Sequence, residues 1–121
     1  MNRFAQALAA AALTLSAALP QQATAAAFVA WKVTDVSWGD TLNVRKFPAS
    51  TSQKRAAYPN GTVLSMTGKC TGDVDLFEIA DLSRKEQRAR IRNEWCQVWH
   101  DPKQNGAYEL GWVYGRYIRP D

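Results

Sequence analysis

Histidine occurs once in these 121 residues, as His100, and cysteine twice, as Cys70 and Cys96. That scarcity leaves little for a metal site. Zinc wants four ligands at recognisable spacing, and His100 has only the two cysteines to join it. It is equally poor ground for thiol catalysis. On one strand, the four-residue step from Cys96 to His100 spans roughly 13 Å, too far for a working Cys–His pair. The nearby carboxylates Asp73 and Asp75 sit at a polar loop start, without apolar surroundings to raise a pKa. No catalytic residue, metal site or cofactor is expected, and the chain reads as a non-enzyme. Charge of one sign is also sparse: 15 Lys and Arg against 11 Asp and Glu give +4. This mild excess suits a polyanionic surface but is too weak to imply nucleic acid.

Long apolar runs are lacking too, with one exception at the start. Asn2 and Arg3 precede an uncharged Ala/Leu-rich stretch, Phe4 to Leu19, which Pro20 breaks. A spanning helix needs about 20 apolar residues, and this run is shorter. Ala23-Thr24-Ala25 then fits a small-residue cleavage pattern. The reading is a signal peptide over 1–25, cut before Ala26. Ala25-Ala26-Ala27 offers an alternative end at 27, with Phe28 first. The expected product is a periplasmic or secreted protein with no membrane span, folding as one domain over 28–121. Removing Arg3 leaves 14 cations against 11 acids. In an exported chain, two cysteines read as a disulfide.

The rest of the chain is dominated by short alternating segments. Trp31 to Val36 and Thr41 to Arg45 predict strands, the second with Leu42 and Val44 on one face. Lys46 to Ala57 shows no apolar period and reads as a loop. Tyr58-Pro59-Asn60-Gly61 is a turn, Asn-Gly supplying positive φ. Thr62 to Cys70 and Trp95 to His100 are strands whose parity points both sulfurs inward. Between them, Ser83 and Glu86 form a capping box ahead of a helix from about Arg84 to Arg92. Val74, Leu76, Phe77 and Ile79 are expected to pin this insertion to the sheet. Asp101 to Gly106 is a polar hairpin loop, Tyr108 to Val113 closes the sheet, and Tyr114 to Ile118 is a terminal turn.

In this order, Val33-Thr34, Leu42-Asn43-Val44-Arg45 with Pro48, Tyr58-Pro59-Asn60-Gly61-Thr62, Trp95 with Val98, Gly111-Trp112-Val113 and Tyr117-Ile118 resemble the bacterial Src homology 3 domain family. The resemblance spans almost all of the chain after the leader. It implies a mainly β fold, a small five-stranded Src homology 3-like barrel, with the helical stretch 71–94 as an insertion. Leu42 and Val44 would plug the barrel, Gly111 would let the last strand approach closely, and Trp112 would cover an end. Two features depart from the family pattern. Phe47 stands where a Gly usually precedes Pro, and the connection before Trp95 is longer. Members commonly act as non-catalytic modules binding cell-wall peptides or proteins.

The five tryptophans are more indoles than a small barrel can bury. Some are expected at the surface, either capping barrel ends or forming a platform for peptide or glycan. The platform residues would be Trp95 and Trp99 with Tyr108, Tyr114 and Phe47. The expected partner is a cell-envelope ligand, a peptidoglycan peptide or envelope protein. Arg84, Arg88 and Arg92 recur every fourth residue and share a face. That face is a solvated surface, a dock for an acidic partner or envelope polymer, or a nucleic-acid contact. The alternative function is therefore a protein-protein interaction or scaffold protein docking through the basic helix.

Overall fold

Along Trp95–His100 the side chains of Cys96, Val98 and His100 are buried while Trp99 is exposed, the two-residue period of a strand with one wet face. The same alternation repeats across the sheet. A computed structural model describes residues 28–121. The expected leader, with both cut sites, lies outside the described residues.

The strands are β1 (Val29–Val33), β2 (Leu42–Arg45), β3 (Lys54–Tyr58), β4 (Val63–Cys70), β5 (Trp95–His100), β6 (Glu109–Tyr114) and β7 (Ile118–Pro120). One helix among the described residues, α1 (Arg84–Ile91), stands between β4 and β5, and a 3-10 turn, Gly115–Tyr117, leads into β7. All strands join one antiparallel sheet in the order β3-β2-β6-β5-β4-β1-β7. The class is mainly β, as expected, but with seven strands where five were expected. Lys54–Tyr58, read as loop and turn, is an edge strand paired with β2. Ile118–Pro120, which begins at the last residue of the expected Tyr114–Ile118 turn, is the opposite edge, paired with β1. Edge strands need partners on one side only, which is why Pro120 is tolerated there.

Inward-facing residues of six strands form one cluster: Trp31 and Val33, Leu42 and Val44, Leu64 and Met66, Cys96 and Val98, Val113 and Ile118. The helix adds Ile91 to it, and the connection before the helix adds Leu76 and Ile79. The eight residues of α1, the one helix among the described residues, are too few to cover the inner face of seven strands. The sheet therefore curls over its own core, in keeping with its twist. The curl is not closed: among the described residues no ladder joins β3 to β7.

Cys70 and Cys96 face each other in the β4–β5 register and are disulfide-bonded. At a sequence separation of 26, loop-closure entropy makes the bond worth roughly 3.5 kcal/mol. Ser83 caps α1, its Oγ accepting from the Glu86 N–H and donating to the Glu86 carboxylate. Gln87, buried beneath the helix, donates to the Ala80 and Leu82 carbonyls and folds the preceding turn against it. Phe77 differs from expectation. It is exposed, and instead of entering the core its ring covers Gly68, occupying the space a Cβ would need.

Two glycines mark close approaches. A Cβ on Gly111 would collide with Val44 across the β2–β6 contact, the tight packing expected of this position. A Cβ on Gly115 would overlap the Ile91 carbonyl, so the end of α1 rests on the bare backbone of the 3-10 turn. Trp112 is half-buried on the outer face of β6, opposite Arg45 and Gln97 in register rather than over an end of the curl.

Candidate functional site: an aromatic groove between two strands

The ladder is thin at one place. β2 meets β6 through a single register pair, Arg45 with Trp112. Beyond that pair β6 runs on to Tyr114 and β2 runs back to Leu42 with no further ladder pair between them. Here lies a groove of about 590 Å³, lined by Asn43 and Arg45 of β2, Trp95 of β5 and Tyr114 of β6. The loop between β1 and β2 forms one bank through Val36 and Asp40, and Tyr117 and Asn93 close the end.

Three rings make its floor. Trp95 and Tyr114 are cross-strand partners with ring centroids 5.2 Å apart, and Tyr117 follows at 6.3 Å from Tyr114. All three are half-buried, so each shows part of its ring to solvent. Such surfaces stack on flat or apolar ligand groups at small entropic cost, having few rotamers to lose. Around them stand two amides, one carboxylate and one guanidinium, a set suited to hydrogen-bonding a peptide or sugar.

The banks are held in place by specific contacts. Asn60 receives the Val36 N–H on Oδ1 at 3.1 Å and donates to the Val36 carbonyl at 2.9 Å. It thereby clamps the β1–β2 loop to the turn before β4. Gly61, at φ 92°, supplies the positive φ of that turn. Asn60, expected to share this role with Gly61, acts instead through its side chain. Arg45 donates to the Ser52 carbonyl at 2.9 Å and ties the β2–β3 loop to the same strand. At the tip of the β1–β2 loop, Trp38 is 99% exposed.

Of the expected platform residues, the structure brings Trp95 and Tyr114 together and leaves the others apart. Trp99 pairs with Leu110 toward the far end of the β5–β6 ladder. Tyr108 precedes β6, and Phe47 lies in the β2–β3 loop under the Lys46 ammonium. Both are exposed. Tyr117, Asn43, Arg45 and Asp40 were not foreseen as site residues. Tyr117 had a signal in its spacing, three residues after Tyr114 with Gly115 between. The others become neighbours only where the β2–β6 ladder stops.

His100 lies away from the groove, on the inner face near the β6 start. It is 4% exposed, with Nδ1 3.4 Å from the Tyr58 hydroxyl. Nε2 makes no hydrogen bond and stands 3.7 Å from Glu109, whose carboxylate pairs with Arg55. Burial lowers the His100 pKa below its ordinary value, Glu109 opposing this and Arg55 reinforcing it. The ring is a neutral core element at pH 7. Among the described residues, no three His, Cys, Asp or Glu side chains gather in a metal-holding group.

Arg84 and Arg88 of α1 and Arg92, its C-cap, line one depression. Comparison with protein-family models, curated proteins and solved structures gives no match. The resemblance to the bacterial Src homology 3 family therefore stands on the chain's own motifs.

Proposed function

We propose that this chain is an exported, non-catalytic binding module of the bacterial Src homology 3 type, holding a cell-envelope ligand in the groove between β2 and β6. The observation that carries the reading is the row of three rings, Trp95, Tyr114 and Tyr117, set beside Asn43, Asn93, Asp40 and Arg45. The chemistry is that of adhesion: ring faces for stacking, amides and charges for orientation. A segment of peptidoglycan peptide or an extended stretch of envelope protein matches both halves of that set.

The barrel type is supported by the burial of Leu42 and Val44, the two residues expected to plug it, and by the curl of the sheet. Export is supported by the leader-like start and by the disulfide, which persists in an oxidising compartment. No helix among the described residues is long and apolar enough to cross a membrane.

The test is co-sedimentation of the purified protein with peptidoglycan sacculi, and titration of its tryptophan fluorescence with solubilised muropeptides. The expected result is binding that Trp95→Ala and Tyr117→Ala each weaken about tenfold, the loss of one stacking contact of roughly 1–2 kcal/mol. Trp99→Ala, outside the groove, is expected to bind as the parent does. Equal binding by all four proteins would exclude the groove.

A further inference from the structure

A second depression, of about 490 Å³, lies between α1 and β7. Every charged side chain that lines it is cationic: Arg84, Lys85 and Arg88 from the helix, Arg92 from its C-cap and Arg119 from β7, over a floor of Ala89 and Pro120. We infer that this face is a second binding surface, independent of the aromatic groove, which takes an acidic segment of a protein partner.

Five like charges around one hollow repel one another. Two of them are fixed by the fold. Arg84 donates to the Pro120 carbonyl at 2.6 Å, and Arg88 pairs with Asp35 at 2.5 Å. The second contact already shows the face holding a carboxylate. Lys85, Arg92 and Arg119 make no salt bridge among the described residues. They ring the hollow as charges awaiting a counter-ion.

Geometry favours an extended acidic chain. Arg84, Arg88 and Arg92 are one helical turn apart, about 6 Å along the axis. Alternate side chains of an extended peptide are about 6.6 Å apart, a near match. Guanidinium groups engage planar carboxylates through two parallel hydrogen bonds, so an arginine row reads carboxylates with directional preference. A membrane surface is the poorer fit. Residues that insert beside headgroups are large and apolar, and none of the exposed large apolar side chains lines this hollow.

The test uses the purified protein and three probes: a fluorescein-labelled peptide of alternating glutamate and serine, a short polyphosphate, and vesicles of phosphatidylglycerol in phosphatidylcholine. Anisotropy titration should show the peptide binding, weakening about tenfold or more as salt is raised through the physiological range. The triple variant Lys85→Glu, Arg92→Glu, Arg119→Glu breaks no described ion pair. It should lose peptide binding by at least about tenfold while keeping its melting temperature. Trp95→Ala should leave this affinity unchanged, which separates the surface from the groove. Failure of the parent to bind the peptide, or equal binding by the triple variant, would overturn the inference. Binding of polyphosphate or vesicles in preference to the peptide would overturn it as well.

Discussion

Val98 and Trp99 are adjacent in the chain and opposite in environment. Val98 is fully buried under the curl, whereas Trp99 is 41% exposed on the outer face. Val98→Ala should cost roughly 1–3 kcal/mol by leaving a cavity, and Trp99→Ala well under that. Urea unfolding of the two variants side by side measures it, and a larger loss at Trp99 would invert the face assignment. This contrast was legible in the sequence, because a two-residue period leaves one choice once either face is known. The environment of His100 was not. Its burial depends on Tyr58 and Glu109, brought beside it by β3 and β6. The consequence is a pH dependence. With its folded pKa below the unfolded value of about 6.5, the unfolded chain binds the extra proton first. Stability is then full above pH ~6.5 and falls as pH drops through the lowered folded value. Thermal melts from pH 8 to 4 should show this loss, and His100→Gln should flatten its His-dependent part. An unchanged slope in that variant would remove His100 as the source.

Elements with a strong local signature were readable, and those defined by their neighbours were not. β2, β4 and β5 alternate cleanly, and α1 announces itself through the Ser83–Glu86 capping box. β3 carries Lys54, Arg55 and two alanines, residues with no preference for a strand. It is extended because β2 offers it a ladder. β7 is three residues long, below any periodicity. The connection from β4 to β5 is where local and long-range constraints meet. The disulfide ties both of its ends, and Ile91, Leu76 and Ile79 anchor its middle. Reduction should therefore lower stability by roughly 3.5 kcal/mol, read as a shift in urea midpoint with and without a reducing agent. Gly115→Ala should be costly through the other anchor, since the new methyl group has nowhere to go against the Ile91 carbonyl. A melting temperature equal to the parent's would mean the helix end can lift off the 3-10 turn freely.

At the scale of the whole molecule, the sheet has a seam. The β2–β3 hairpin joins the rest of the sheet through one register pair, while β5 and β6 share an unbroken six-pair ladder. The aromatic groove exists because of that seam, and this is why the site was only half legible. Trp95 was legible as an outward strand aromatic, and Tyr114 as a neighbour of it from the terminal turn, although Tyr114 in fact ends β6. The opposite bank comes from β2 and the β1–β2 loop, far earlier in the chain, and no local pattern announces that the β2–β6 ladder is limited to one pair. The seam also sets how stability is distributed. Local opening follows the weakest ladder, so the hairpin should open at a free energy below that of global unfolding. Hydrogen exchange followed by mass spectrometry should show peptides covering Leu42–Tyr58 exchanging well before those covering Val63–Cys70 and Trp95–Tyr114. Leu42 and Val44 pack into the common core and temper the difference. Even so, a lost side-chain contact in a small hairpin is easier to restore than a broken central ladder. A ligand bridging Asn43 on one bank and Trp95 on the other would couple the two parts by mass action. Exchange over Leu42–Tyr58 should then slow selectively when muropeptide is added. Uniform exchange across all strands in the free protein would mean that the single pair at Arg45 and Trp112 is no seam, and that the groove is a rigid cleft.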